Sequence, residues 1–261
     1  MSHEETPTAS KPAPTSQPDY TDRLVRLRSM RWKRVAFVQA PYRWNVRRLH
    51  LGRTLDIGCG IGRNLQHIGA AAVGIDHNAG SIEIARSRGL TAYTPEGFLA
   101  SADCVPASYD SILLAHVVEH MDRDTAAGLL ADHIEFLKPG GPVVFITPQE
   151  AGYRTDDTHV RFVDFAGLAD LATTIGFAIT RQYSFPFPRM AGRVFPYNEF
   201  VAVTRPVSLI GTPASYRHPG PLIGTRPAAR PRRPQKPCPA GSEFSGKFRS
   251  RSRRPGILAW A

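Results

Sequence analysis

Cysteine is scarce in this chain. Its three cysteines, Cys59, Cys104 and Cys238, are scattered and none belongs to a Cys-x-x-Cys pair. That excludes a disulfide framework and a thiolate metal site. Long apolar runs are missing too: no stretch approaches the ~18 residues a membrane-spanning helix needs, so no membrane association is expected. The N-terminus lacks a charged-then-apolar secretory pattern, which leads us to expect a cytoplasmic protein. No internal repeat is present. Acidic residues are nearly absent from the C-terminal region. From Pro206 onward eleven basic residues face a single acid, Glu243, a balance of +10 within a total of +11. The preceding part is therefore nearly neutral, and the basicity belongs to a tail.

What is present suits a folded domain. A chain of 261 residues with 42% apolar content can bury one generous core. Residues 1–20, rich in Pro, Ser, Thr and Ala, are expected to be disordered. From Thr21 to about residue 50 the chain is basic and amphipathic, a helical cap in which Pro41 opens a second short helix. A solvated basic face over an apolar seam explains that pattern better than a phosphate grip. The tail, 206–261, has clusters such as "RPAARPRRPQKP" and no apolar period, so it too is expected to be disordered.

Between these ends strands and helices alternate. "TLDIG", "AVGID", "LTAYT", "YDSILLA" and "PVVFIT" read as five strands separated by helical stretches. Gly69 ends the first of those helices; Asn78 and Asp164 are placed to cap later ones, which Gly89 and Gly176 close. A helix is expected over Asp124–Leu137, with Leu130, Ile134 and Leu137 on one side. "FAITRQYSF" and "NEFVAVTR" follow with no helix between them, so they should pair antiparallel. The expected fold is α/β: a doubly wound, mostly parallel seven-stranded sheet with an antiparallel last strand at the edge and helices on both faces. It occupies residues 21–205.

The strongest motif is "LDIGCGIGRNL", residues 55–65, between the first strand and its helix. Gly58, Gly60 and Gly62, with Cys59 in the same turn, keep side chains out of the way of a bound molecule and permit unusual dihedrals. Asp76 ends the second strand twenty residues after Asp56, where a carboxylate can accept both hydroxyls of a ribose. A nicotinamide dinucleotide pattern would need glycine at position 63, which is Arg63. Asp56 would also repel a pyrophosphate. It suits a ligand carrying an ammonium and a sulfonium, and S-adenosylmethionine has both and no phosphate.

On "DIGCGIG", "GIDHN", "YDSILLAHVVEHM" and "LKPGGPVVFITP" the chain resembles the class I S-adenosylmethionine-dependent methyltransferases, particularly their small-molecule branch, over about residues 40–205. The resemblance implies that Gly58 and Gly60 hold the methionine end of the cofactor and that Asp56 orients its amino group. It implies that Asp76 takes the ribose and that Glu96, Gly97 and Phe98 in "PEGF" cover the adenine. Cys59, Gly62, His77 and His116 complete the implied cofactor contacts. The acidic-Ala pair common in the adenine loop is absent.

"LLAHVVEHM" also spells His-x-x-Glu-His, a zinc-peptidase arrangement, through His116, Glu119 and His120. That reading needs both imidazoles inside one helix. His116 instead follows "SILLA" directly, at a strand end, and no spacing nominates a third ligand. No metal is expected, and His120 is read as packed or hydrogen-bonded. Two histidines are candidate bases for methyl transfer, His116 and His159 in "TDDTHVRF"; His159 and Arg161 could instead only fix their loop. Tyr153 and Phe187 are candidate acceptor-pocket walls. The expected partner is a small-molecule acceptor with an O-, C- or N-nucleophile. An RNA-modifying enzyme using the basic tail, and a non-catalytic cofactor-binding module, are the alternatives.

Overall fold

The computed structural model describes residues 32–207. The expectations for residues 1–20, for 21–31 of the helical cap and for 208–261 of the tail lie outside the described residues. Helix α1 spans Trp32–Arg48. The strands are β1 (Thr54–Ile57), β2 (Ala72–Ile75), β3 (Ala92–Tyr93), β4 (Ser111–Ala115), β5 (Val143–Pro148), β6 (Phe177–Phe185) and β7 (Glu199–Pro206). Between them run α2 (Arg63–Ile68), α3 (Ala79–Ser87), α4 (Pro95–Leu99), α5 (Arg123–His133), α6 (Glu150–Tyr153) and α7 (Phe165–Thr174).

The seven strands lie in the order β3-β2-β1-β4-β5-β7-β6. The pairs β1–β2, β1–β4, β2–β3 and β4–β5 are parallel, while β7 is antiparallel to both β5 and β6. The antiparallel pair is thus at the expected end of the sheet, but the last strand is not its edge: β7 is inserted and β6 is outermost. Burial explains the choice. Phe200, Val201 and Ala202 are buried, as a strand covered on both faces requires, whereas Arg181 and Gln182 of β6 are exposed.

Side-chain alternation splits the core into two layers. Leu55, Ile57, Ile112, Leu114, Val143, Phe145 and Phe200 point to one face, where they pack with Leu129 and Leu130 of α5 and Leu168 and Leu171 of α7. Leu113, Ala115, Val144, Ile146 and Val201 point to the other, against Val46 of α1. Cys59, Leu65 of α2 and Ile82 of α3 form a smaller cluster under the first strands. Helices therefore cover both faces.

Local signals account for most boundaries. Asn78 caps α3 by accepting from Ser81 N at 3.0 Å, and Asp164 caps α7 by accepting from Gly167 N at 3.0 Å. Helix α5 starts one residue earlier than expected, capped by Asp122, and ends at His133, where Ile134–Phe136 tightens into a 3-10 turn. Pro41 does not open a second helix; it lies inside α1. Proline there forfeits one backbone hydrogen bond. The helix continues because tertiary contacts hold the part beyond it. Val46 is buried, and Asn45 Oδ1 accepts from Tyr183 Oη at 2.8 Å.

Replacing Asp164 with alanine should cost about 1 kcal/mol of stability by removing the α7 cap. Urea unfolding of the full chain measures this, and an unchanged midpoint would contradict the assignment.

Candidate functional site

Parallel pairing brings the carboxyl ends of β1, β2, β4 and β5 to one edge of the sheet. Between β1 and β4 the winding direction reverses, and that crevice is where doubly wound sheets bind ligands. The glycine turn after β1 and the His116 turn after β4 flank it. They touch: a Cβ added to Gly58 would meet Val117 Cγ2 at 2.4 Å. Gly58 (φ 73°) and Gly60 (φ 52°) are both left-handed, so the turn is closed to residues with side chains on conformational grounds as well.

Asp56 is fully buried and neither carboxylate oxygen has a hydrogen-bond partner. Burial, followed by the charge of Asp76, pushes its pKa up to about 8, with Arg63 opposing weakly. An orphaned buried carboxyl is costly and calls for a cation. Asp76 is different: its oxygens accept from Gly60 N and Asn78 N, each at 2.8 Å, and His77 Nδ1 lies 3.7 Å away. The turn is thereby locked to the end of β2. Gly58 N and Cys59 N both donate to Ile75 O, at 2.8 and 3.1 Å. The N–H groups of Gly58, Cys59 and Gly60 are thus spent inside the turn, and Cys59 O accepts from Gly62 N at 3.0 Å. Gly62 has φ 80° and a Cβ there would meet Leu90 at 2.3 Å, so its glycine serves packing against the sheet's flank.

The loop after β3 departs from expectation. Thr94 caps α4 through Gly97 N, and Glu96 is exposed in its first turn. Phe98, however, turns inward: it is 1% exposed and sits edge-on to Phe136 at 5.1 Å. Its ring is core and offers no surface to an adenine, because a five-residue helix capped at Thr94 rotates position 98 under the sheet edge.

His116 has φ 61°, uncommon for a non-glycine residue, and donates its backbone N–H to Ile146 O at 2.8 Å. Its ring lies between two acids. Nε2 is 2.8 Å from Glu199 Oε1 and Nδ1 is 3.3 Å from Glu119 Oε1, while about a third of the side chain stays exposed. Desolvation disfavours its charged form, but the two carboxylates outweigh that and push its pKa up to about 9. His116 is therefore a clamped cation at neutral pH, not a free base. Glu199 was invisible as a partner in sequence; an acid opening an otherwise apolar strand was the only cue. Glu119 is fully buried.

His159 is elsewhere. Its Nδ1 donates to Tyr153 O at 2.7 Å, and the ring stacks on Tyr153 at 5.1 Å. Its loop is fastened to the His116 turn by Val160 N and Arg161 N, which donate to Glu119 O at 2.8 and 3.1 Å. His120 meets the same loop: Nδ1 is 3.1 Å from Thr158 O, and its pKa is lowered, chiefly by burial. Phe187 is half-exposed and packs edge-on to Phe195 at 5.2 Å. Tyr42 donates to Tyr197 O, and burial pushes its phenol up.

Residues 36–182, more than half of the chain, match the family described as a methyltransferase domain. The chain belongs to that family. A ubiquinone biosynthesis O-methyltransferase of Chelativorans sp. (strain BNC1) is 41% identical over 98 residues, 34% of this chain and 37% of that protein. The chain thus matches little more than a third of that relative's length. The magnesium protoporphyrin IX methyltransferase of Synechocystis PCC 6803 with SAH bound aligns with TM-score 0.53 at 14% identity, over 74% of this chain and 97% of that one. A SAM-dependent methyltransferase of Archaeoglobus fulgidus aligns with TM-score 0.49 at 18% identity, over 63% of this chain and 92% of that one. The family match bears out the resemblance carried by "DIGCGIG" as far as a methyltransferase domain, built on the expected doubly wound sheet.

Because Asp56 is mostly protonated at pH 7 in the free protein, a cationic ligand should drive its proton off. Calorimetric titration with S-adenosylmethionine at pH 7 in buffers of different ionisation enthalpy should show net proton release. Asp56→Asn should abolish that release and weaken binding by at least tenfold. Equal proton release in the variant would show that Asp56 does not meet the ligand's charge.

Proposed function

We propose that this enzyme methylates a small-molecule acceptor, at oxygen before carbon or nitrogen, and that its cofactor binds across the β1–β4 crevice. The observation that carries the reading is the buried, unpartnered Asp56 carboxyl at the glycine turn. S-adenosylmethionine supplies a methyl group already activated by its sulfonium. Asp56 would hold the ammonium, and Asp76, fixed by Gly60 and Asn78 N–H groups, keeps lone pairs for ribose hydroxyls. Glu96 and Gly97 remain candidates at the adenine end; Phe98 does not.

In-line transfer asks the protein mainly to align two partners and exclude water. The loop carrying Tyr153, His159 and Phe162 is suited to exclusion, since it is pinned to Glu119 O and its rings interlock: Tyr153 meets Phe162 at 5.3 Å. We assign His116 a positioning and electrostatic role beside the crevice rather than proton abstraction, because both of its nitrogens are engaged by carboxylates. His159 is assigned to the loop. Oxygen is favoured because the curated relative is named an O-methyltransferase and because that name and the protoporphyrin enzyme's both specify small molecules. We place the enzyme in the cytoplasm, a reading supported by its few, scattered cysteines; no helix among the described residues is long and apolar enough to cross a membrane.

The test is methyl transfer by the full chain from labelled S-adenosylmethionine into a metabolite extract and, separately, into RNA. Label in the small-molecule fraction alone is expected. Label in RNA alone would replace this reading with the RNA-modifying one, and cofactor binding without any transfer would favour a binding module.

The His116 clamp makes a separate forecast. Its folded pKa, about 9, lies above the unfolded value of 6.5. The clamp's stabilisation is therefore complete below about pH 6.5 and is lost as pH rises through about 9. Melting temperature should fall over that window, and His116→Gln should flatten the fall. An identical pH profile in the variant would remove the clamp from the account.

A further inference from the structure

Three side chains from the turn after β4 and the loop after α6, Glu119, His120 and His159, sit together. One suitable ligand atom from each of Glu119, His120 and His159 lies within 4.8 Å of the other two. The two imidazole centroids are 4.8 Å apart and tilted by 53°, so the rings converge without stacking. Each ring is oriented from behind. His120 Nδ1 lies against Thr158 O at 3.1 Å and His159 Nδ1 against Tyr153 O at 2.7 Å. A carbonyl can only accept, so both Nδ1 atoms carry hydrogen and both Nε2 atoms present lone pairs. A backbone carbonyl behind a ligating histidine is the usual outer support of a metal site.

Glu119 is the second, independent observation. It is 0% exposed, and neither of its oxygens has a hydrogen-bond partner. Among the described residues His116 Nδ1 stands 3.3 Å from Glu119 Oε1, and that histidine is shared with Glu199. Arg161 on the facing loop does not repair the deficit; its own Nε and Nη2 are buried without partners. A carboxylate with this burial requires more positive charge than it is given.

We propose that Glu119, His120 and His159 bind a divalent transition-metal cation of the zinc class. Two imidazoles and a carboxylate match the donor preference of that class, and three protein ligands leave a tetrahedral ion one position for water or another ligand. Bonds of about 2.0–2.1 Å place neighbouring ligands about 3.4 Å apart, so the cluster closes with side-chain shifts of about 1 Å. The third ligand, which no spacing nominated, comes from the other loop, 39 residues after His120, while His116 stays in its carboxylate clamp. The cation would tie the loop over the crevice to the turn after β4. The inference does not rest on the methyl-transfer reading.

Chelator-treated, tag-free full-length protein is titrated with Zn2+ by calorimetry and with Co2+ by visible absorption. One Zn2+ per chain with dissociation constant below about 10 µM is expected, together with a Co2+ ligand-field band and a higher melting temperature on metal addition. His159→Ala and His120→Ala should each weaken Zn2+ at least tenfold, while His218→Gln in the basic tail should not. S-adenosylmethionine affinity of the His159 variant, measured separately, reports that it is folded. Absence of binding below about 100 µM, or Zn2+ binding that His159→Ala leaves unchanged, would overturn the site. Should Glu119→Gln fail to fold, the His159 variant still decides the matter, because its ring lies on the loop and outside the core.

Discussion

The site depends on one uncompensated charge position. Asp56 lies in β1, beside the central strand β4; it is fully buried, and neither of its oxygens has a hydrogen-bond partner among the described residues. A leucine there would fill the same space without the cost of desolvating a carboxyl. The turn that follows is locked to β2 through Asp76, which accepts from Gly60 N, and through Ile75 O, which accepts from Gly58 N and Cys59 N.

The opposite wall follows another logic. His116 is held in a left-handed backbone by its strand-end position and in a charged state by Glu119 and Glu199. Those acids reach it from the turn after β4 and from β7, and Glu119 through its backbone also anchors the loop of His159. A single acidic residue thereby joins the crevice to its covering loop. Gln149 performs a similar joining role further along, donating to Ser184 Oγ at 2.7 Å and to Glu199 O at 2.9 Å.

The portions legible in sequence were those governed by local physics. The glycine turn, the caps at Asn78 and Asp164, and the near-continuous apolar runs of β4 and β5 need only a few neighbouring residues to define them. The elements that escaped depend on distant ones. Pro41 continues a helix because Asn45 and Val46 dock on the sheet. Phe98 faces the core because Phe136 receives it. Glu199 reaches His116 across 83 residues, and no periodicity announces such a pair. The convergence of His120 with His159 was hidden for the same reason: loops meet through topology, not through spacing.

The insertion of β7 between β5 and β6 has a kinetic meaning. Strands β1 to β5 can pair in the order in which they are synthesised around a central nucleus, but β6 emerges before the strand that must separate it from β5. The sheet's far end therefore waits for the C-terminal hairpin to form and slot in as a unit. Such non-local closure is slow compared with helix formation. Until it happens His116 lacks Glu199, so the crevice acquires its full electrostatic character only when the last strand of the domain is home.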